Sequence, residues 1–258
     1  MTNQLFKDKL LNDKFCQEGY IYYNKTIIGA DTINNILEKF INSNLNLPNY
    51  NKQLHTIDTK EKEELKQFSY FIENSLDKIL REIFYDIEFV FSMIVSKAPN
   101  SKDILHLHQD ASFIDEEDKE NIGITFWIPL VDVNLQNGCI GLIKNSHNIY
   151  DSVCPLPFPD VYTPLWKHSF SLMPYSTFIE MKAGEVLIFN SKVFHGGLPN
   201  FSDSTRYALS IWLTNKTNNI LFYFLKPGTT DKLLKYKVDN DFYYKYDNNR
   251  LHEMFLKG

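Results

Sequence analysis

The chain has 258 residues, of which 43% are hydrophobic and 15% aromatic, so residues 1–258 can bury a core as one large globular domain. This composition excludes an intrinsically disordered chain, and the formal net charge of −5 excludes an overall basic surface for nucleic acid. Residues 1–15 lack the apolar core of a signal peptide, and no apolar run approaches the roughly 20 residues that span a bilayer.

The cysteine content indicates a reducing compartment. Cys16, Cys139 and Cys154 are scattered and odd in number, which predicts free thiols and not a disulfide framework. We therefore expect a cytoplasmic protein with neither a nucleic-acid nor a membrane partner.

The first third of the chain carries a short strand pattern at residues 19–23 and then two helical patterns. Asp31 or Thr32 can cap a helix that extends to about Asn42, and a second helix is expected over residues 61–84. The apolar faces of both helices predict packing against the main body of the protein. These faces consist of Ile33, Ile36, Leu37 and Phe40 in the first helix, and of Phe68, Phe71, Ile72, Leu76, Ile79, Leu80 and Ile83 in the second.

From residue 87 onward the pattern changes to β structure, with repeated runs of β-branched and aromatic residues between turn residues. Helices followed by about eight strands predict an α+β fold whose main body is a jelly-roll barrel. The expected strands are residues 87–95, 104–110, 122–133, 139–143, 178–181, 186–189, 192–195 and 206–213.

Two long stretches interrupt the strands. Residues 111–121 are acidic, and residues 148–177 contain five prolines among several aromatic residues. Loops of this length in a compact domain are usually functional or disordered, so a substrate lid and simple packing over the barrel mouth are both open. The candidates for substrate contacts at the mouth, with a structural role as the alternative for each, are Phe113, Tyr162, Trp166, His168 and Tyr175.

The segment His108-Gln109-Asp110 carries a metal-site pattern. Because side chains alternate along a strand, His108 and Asp110 are expected on one face and Gln109 on the other. A second histidine from another strand, for which His195 is the candidate, would complete the facial triad of a non-haem Fe(II) oxygenase. The alternative pairs His106 with His108, as in many cupins, but such sites expect a glutamate about four residues later, where this chain has Ser112.

Arg206 follows His195 by eleven residues and begins an apolar strand. A buried arginine needs a partner, and its planar guanidinium pairs bidentately with a carboxylate. A dicarboxylate that chelates iron at one end would present its far carboxylate to such a residue. The alternative is an interstrand or surface salt bridge.

Together these segments resemble the phytanoyl-CoA dioxygenase family of Fe(II)/2-oxoglutarate oxygenases. The resemblance implies a double-stranded β-helix, a cupin-like jelly roll with N-terminal helices packed on its major sheet. It also implies that His108, Asp110 and His195 bind iron. The segments that carry it are residues 15–23, His108-Gln109-Asp110, residues 127–138, Ser146-His147, residues 184–189, and His195 with Asn200, Ser202 and Arg206.

The same resemblance implies a binding site for the cosubstrate. Arg206 would bind the C5 carboxylate of 2-oxoglutarate. Trp127 resembles a tryptophan that lines the cosubstrate pocket, with ordinary core packing as the alternative. Gln109 has a weaker claim to cofactor binding, because strand alternation turns it away from the metal.

Three positions depart from the family pattern. Lys144-Asn145-Ser146-His147 replaces the usual Pro-Gly-Ser-His turn, Glu185 stands where aspartate is commoner, and Gly197 lacks the hydroxyl often found two residues after the distal histidine. These changes concern contacts with the cosubstrate and the surroundings of the ligands, while the three iron ligands themselves are intact.

The resemblance implies an Fe(II)-, 2-oxoglutarate- and O2-dependent dioxygenase that hydroxylates a small-molecule or carrier-bound substrate and releases succinate and CO2. Asp110 favours this reaction over halogenation, because related halogenases replace the carboxylate with a small residue. Net acidity argues against a highly anionic substrate, although Lys97 or Lys167 could supply local positive charge. The alternatives are desaturation, epimerisation or cyclisation by the same class of oxygenase, or a non-catalytic jelly-roll binding module.

Overall fold

The computed structural model describes residues 4–46, 53–149, 153–156, 166–215, 220–226, 229 and 232–247. Its helices are α1 (Lys9–Glu18), α2 (Ala30–Ile41), α3 (Lys62–Ile83), α4 (Ser169–Leu172) and α5 (Phe242–Lys245). Its strands are β1 (Tyr20–Tyr23), β2 (Gln53–His55), β3 (Glu88–Lys97), β4 (Leu105–His108), β5 (Gly123–Pro129), β6 (Ile140–Leu142), β7 (Thr177–Ile179), β8 (Val186–Asn190), β9 (His195–Gly197), β10 (Arg206–Thr214), β11 (Leu221–Leu225) and β12 (Leu233–Lys237).

Strands β3 to β10 form the barrel that the sequence predicts. The larger sheet has the order β1-β8-β5-β10-β3-β2 and the smaller sheet the order β4-β9-β6-β7, with antiparallel pairing throughout. From β3 to β10 the chain changes sheet at every strand except between β6 and β7, which is the topology of a double-stranded β-helix. The prediction of an α+β jelly roll is therefore confirmed.

Helix α3 covers the outer face of the larger sheet. Its apolar positions recur every three or four residues, and this stripe packs into the main hydrophobic core. The hydroxyl groups of Ser69 on α3 and Ser92 on β3 lie 2.7 Å apart, which fixes the helix to the strand beneath it. Glutamates in the first turn and Arg81 in the last turn complement the helix dipole. The buried stripe is Leu65, Phe68, Ile72, Leu76 and Leu80.

The expected strand at residues 192–195 is displaced, and this prediction is wrong except at its last residue. The segment forms a turn in which the Val193 N–H donates to the Asn190 carbonyl, and β9 begins only at His195. The turn contains Val193 and Phe194, a β-branched and an aromatic residue that are common in strands, so the composition did not separate the two. Strand β4 likewise ends at His108, two residues earlier than expected.

Four elements carry no clear signal in the sequence. Helix α1 buries only two side chains, although Asp8 caps its start and Gly19, at φ 84°, ends it. Strand β2 has three residues, too few to show a period. The hairpin β11–β12 and helix α5 lie in a C-terminal region for which we expected no element.

The C-terminal elements close one end of the barrel. Trp212 on β10 stacks on Phe113 with ring centroids 5.2 Å apart and planes inclined by 5°, and Tyr243 on α5 meets its edge. All three side chains are buried. This cluster joins the loop after β4, the barrel and the C-terminal helix into one packed unit. In the described part of the chain, no helix is both long and apolar enough to cross a membrane.

Because Phe113 is fully buried against Trp212, we expect Phe113→Ala to lower the free energy of unfolding by about 3–5 kcal/mol. The matched control is Phe201→Ala, at a phenylalanine that is 56% exposed, which should change stability by less than about 0.5 kcal/mol. Urea denaturation measures both. Equal stabilities for the two variants would contradict the packing role of Phe113.

Candidate functional site

The three predicted iron ligands converge at one place. His108 ends β4 and lies opposite His195, the first residue of β9, in the register of the smaller sheet. Their rings are 4.2 Å apart, and His195 Nε2 lies 3.6 Å from Asp110 Oδ1. One ligand atom from each of the three residues lies within 4.8 Å of the others.

Each ligand is oriented by a hydrogen bond that turns one donor atom towards the other two ligands. The Nδ1–H groups of His108 and His195 donate to the carbonyl oxygens of His106 and Val193, at 2.8 and 2.9 Å. A carbonyl only accepts, so both Nε2 atoms carry the lone pair. The Thr125 hydroxyl donates to Asp110 Oδ2, which leaves Oδ1 on the side of the histidines. Such supporting bonds are typical of metal ligands.

Asp110 reaches this position for a reason different from strand alternation. Strand β4 has already ended at His108, and the backbone of Asp110 is held by its N–H bond to the Ser191 carbonyl at 2.9 Å. The hydroxyl of Thr125 on β5 then fixes the carboxylate. The positions of the three ligands therefore depend on residues of both sheets.

The protonation state suits metal binding. Burial, together with the neighbouring His195, holds the pKa of His108 well below its ordinary value of 6.5. The neutral imidazole is the form that binds a metal. Two imidazole nitrogens and one carboxylate oxygen on one side of an ion, with the other positions open, fit Fe(II) in an oxygenase.

Arg206 lies at the far end of the same inner face. It begins β10, is 4% exposed and lies opposite Lys97 of β3. Its Nη1–H donates to the Val95 carbonyl at 3.0 Å, while its buried Nε has no hydrogen-bond partner. Among the described residues no carboxylate forms an ion pair with it. The guanidinium lies 5.9 Å from the ring of Trp127, and burial lowers the pKa of Arg206 to about 10.

Lys97 is the residue at this end whose role the sequence did not reveal. Its side chain is fully buried, and its ammonium donates to the carbonyls of Gly197 and Leu198. Burial and then the charge of Arg206 lower the pKa of Lys97 to about 7. A charged residue at the end of an apolar strand was the available signal. Among the described residues neither buried cation forms an ion pair with an acidic side chain, which favours an anionic ligand.

Local contacts and backbone conformation compensate for the departures from the family pattern. Asn145 takes the left-handed conformation, at φ 63°, that a glycine would otherwise provide. Gly197 lacks a hydroxyl, but a Cβ placed there would lie 3.5 Å from Lys97 Nζ, so the lysine occupies the neighbouring space. Glu185 accepts hydrogen bonds from the Tyr22 hydroxyl and the Lys182 N–H, and so closes its turn.

Gln109 points away from the ligand side. It is 2% exposed, and its amide nitrogen donates to the Lys192 carbonyl at 2.8 Å. The thiol of Cys154 donates to its amide oxygen. These bonds attach the ligand segment to neighbouring loops, and a direct role of Gln109 in cofactor binding stays a prediction.

The candidates at the barrel mouth occupy different environments. Phe113 belongs to the closed end of the barrel, whereas His168 and Tyr175 are exposed. Tyr162 lies outside the described residues, as does the side chain of Trp166. Their roles in substrate binding stay predictions.

Within the predicted lid, the described residues 166–175 dock on β4. The Leu107 N–H donates to the Ser169 hydroxyl oxygen at 2.9 Å, and the ring of Phe170 meets that of His106 edge-on at 5.2 Å. His106 therefore supports the site through its backbone, which accepts from His108, while its ring faces this segment. This segment covers the strand that carries the first iron ligand.

Comparisons with known proteins give a consistent family match. The model of the phytanoyl-CoA dioxygenase (PhyH) family matches residues 35–208. Phytanoyl-CoA dioxygenase domain-containing protein 1 of Bos taurus is 28% identical over 135 residues, which are 51% of this chain and 46% of that protein. Phytanoyl-CoA dioxygenase of Arabidopsis thaliana is 27% identical over 134 residues, 46% of this chain and 42% of the relative. The chain thus matches less than half the length of these curated relatives.

Solved structures show the same fold. HygX from Streptomyces hygroscopicus, with nickel and 2-oxoglutarate bound, has a TM-score of 0.59 at 12% identity, over 83% of this chain and 89% of that one. SnoK, a non-haem α-ketoglutarate-dependent carbocyclase from nogalamycin biosynthesis, has a TM-score of 0.57 at 15% identity, over 83% and 86%. At these identities the similarity concerns the fold alone.

The hydrogen bond from Thr125 to Asp110 predicts a measurable effect on metal binding. Thr125→Val should weaken Co(II) binding about 10–100-fold, because the carboxylate loses the bond that orients it. Thr177→Val, at an exposed position on β7, is the control and should bind as the wild type does. Calorimetric titration measures the affinities, and thermal melting verifies that both variants fold. An unchanged affinity in Thr125→Val would contradict this role.

Proposed function

Because the chain belongs to the phytanoyl-CoA dioxygenase family, we propose that it is an Fe(II)- and 2-oxoglutarate-dependent dioxygenase that hydroxylates a small-molecule or carrier-bound substrate. The proposal is supported by the convergence of His108, Asp110 and His195, and by the buried Arg206 and Lys97, neither of which forms an ion pair with an acidic residue in the described part of the chain. None of the three cysteines forms a disulfide, which fits the reducing cytoplasm in which we place the protein.

Each part of the site has a distinct task in this proposal. His108, Asp110 and His195 hold the metal, while Arg206 and Lys97 bind the far carboxylate of 2-oxoglutarate. Iron and 2-oxoglutarate, when bound, supply the activation of O2, with succinate and CO2 as products.

The walls of the site support this chemistry by excluding water. His195 and Asp110 have side chains only 6% and 10% exposed, and Trp127 beside Arg206 is 6% exposed. In such a site charge interactions are stronger than in water and reactive species are protected from side reactions. We also propose that Trp127 lines the cosubstrate pocket.

Hydroxylation is the reaction that we favour. The carboxylate of Asp110 occupies the ligand position that a halide would need, which argues against halogenation. SnoK is described as a carbocyclase and the structural relative SnoN as an epimerase, so cyclisation and epimerisation are the alternatives to separate by product analysis. HygX and SnoN were solved with hygromycin B and nogalamycin RO, which supports a small organic molecule as the substrate.

The proposal is tested by succinate release with Fe(II), 2-oxoglutarate and ascorbate, with and without a library of small metabolites. We expect turnover that certain compounds stimulate, with mass spectrometry showing that these compounds gain one oxygen atom. Asp110→Ala should abolish succinate release, because one of three metal ligands is lost. A wild-type protein that binds neither metal nor 2-oxoglutarate would support a non-catalytic jelly-roll module.

Arg206→Ala should raise the KM for 2-oxoglutarate about 10–100-fold, because it removes a charge-assisted pair with the far carboxylate. The matched control is Arg81→Ala at the exposed end of α3, where the arginine pairs with Asp77 on the surface. This control should keep the wild-type KM. The succinate assay at varied 2-oxoglutarate measures both, and equal KM values would remove Arg206 from the proposed site.

The low pKa of Lys97 predicts a pH dependence of cosubstrate binding. Free protein carries the ammonium form below about pH 7 and the neutral amine above it. A dianionic ligand favours the ammonium, so binding takes up a proton and the Kd for 2-oxoglutarate should rise as pH increases above about 7. Calorimetry on the Co(II)-loaded protein between about pH 6.5 and 8.5 measures this rise. Lys97→Met should bind more weakly and with a flatter profile, and a wild-type Kd independent of pH would contradict the assignment.

A further inference from the structure

Strand β2 extends the larger sheet beyond the eight strands of the barrel. It pairs with β3 at one edge, whereas the smaller sheet ends at β4. In a double-stranded β-helix the first strand of the barrel, here β3, lies over the second, here β4. The inner face of β2 consequently has no strand of the smaller sheet opposite it.

The register identifies which side chains of β2 lie on the inner face. In antiparallel strands, residues directly opposite each other share a face. Gln53 lies opposite Lys97, which lies opposite Arg206, so these three side chains form one row. His55, Val95 and Ala208 form the next row, and Ala208 packs between the two sheets.

Of the two β2 side chains, His55 lies nearer to the metal ligands. Gln53 is in the row of Arg206, whereas His55 is in the next row, and His55 contributes to the lowered pKa of His108. His55 is half-buried, and its own pKa is lowered to about 4 by burial and by the charges of Arg206 and Lys97. The imidazole is therefore neutral at working pH.

The two side chains of β2 hold each other in a defined orientation. The amide nitrogen of Gln53 lies 2.6 Å from His55 Nε2 and donates to it, which places the imidazole proton on Nδ1. The amide oxygen of Gln53 is buried and has no hydrogen-bond partner. The pair thus combines a buried acceptor without a partner with an N–H donor on the other side of the imidazole ring, and a buried polar atom left unpaired is costly until a ligand satisfies it.

We propose that Gln53 and His55 recognise the substrate of the proposed dioxygenase by binding a hydroxyl group of an uncharged molecule. The inference rests on the proposed function. A hydroxyl group of that molecule donates to Gln53 Oε1, while His55 Nδ1–H, on the other side of the imidazole ring, donates to a second oxygen atom of the same molecule. A carboxylate has no proton for the amide oxygen, and an ammonium meets the positive charges of Lys97 and Arg206.

The test uses the wild-type protein loaded with Fe(II) and 2-oxoglutarate, and a library of matched compounds. Each carbon skeleton is present as an alcohol, a methyl ether, an amine and a carboxylate. Stimulation of succinate release should concentrate in the alcohols. Stimulation mainly by carboxylates, amines or ethers would overturn the inference.

Variants then connect this preference to the two residues. Gln53→Leu and His55→Leu should each raise the KM for the best alcohol at least about tenfold, because each leaves one hydrogen bond unmade. Their KM for 2-oxoglutarate should stay within about twofold of the wild type. His55→Asn, which returns an N–H donor near the Nδ1 position, should recover most of the loss, and Gln67→Leu on the exposed face of α3 is the control.

Different outcomes would contradict the substrate role of Gln53 and His55 and the proposed dioxygenase function. If Gln53→Leu or His55→Leu changes the KM for 2-oxoglutarate and not that for the alcohol, the pair belongs to the cosubstrate site and the inference is wrong. A wild-type protein that turns over 2-oxoglutarate but is stimulated by no alcohol also overturns it. Absence of 2-oxoglutarate binding to the metal-loaded wild type would instead contradict the proposed function. Calorimetry with Co(II) measures that binding, and melting curves verify the fold of each variant.

Discussion

The site depends on the burial of two cations that form no ion pair with an acidic side chain of the described residues. Arg206 and Lys97 are opposite each other on neighbouring strands, so the pairing of β10 with β3 brings both charges into the barrel. Lowering the pKa of Lys97 from 10.5 to about 7 corresponds to roughly 5 kcal/mol against its charged form. The two backbone carbonyls that Lys97 contacts do not offset this cost. A dianion does, because it supplies the opposite charge at the place where water has been removed.

The metal ligands at the other end require both sheets to be in place. His108 and His195 come from neighbouring strands of the smaller sheet, while Thr125 of the larger sheet holds the carboxylate of Asp110. The metal site is therefore complete only when both sheets are formed. Lys97 donates to the carbonyl of Gly197, which lies two residues after His195 on β9, so the cations and the ligands share a strand. In the proposed function, one molecule with a chelating group at one end and a carboxylate at the other binds to both.

The sequence predicted those features that leave a local pattern. Seven of the eight barrel strands follow from runs of β-branched and aromatic residues, while His108, Asp110, His195 and Arg206 were identified by their pattern together with the family resemblance. Other features depend on contacts between distant segments: the position of Asp110 rests on Ser191 and Thr125, and the environment of Lys97 on its register with Arg206. Strand β2 has three residues and is defined only by its pairing with β3, so no period could reveal it.

If Gln53 and His55 bind the substrate as proposed, strand β2 separates the constraints on substrate recognition from those on catalysis. The two histidine ligands and the two cations lie on barrel strands, and Asp110 follows one of them. Gln53 and His55 lie on an edge strand outside those eight, and their side chains are hydrogen-bonded to each other. Substitutions there then alter which polar group is bound while the register of β3 with β10, and with it the row of Lys97 and Arg206, is maintained. Under this proposal the barrel can accept different substrates without changes at the three metal ligands.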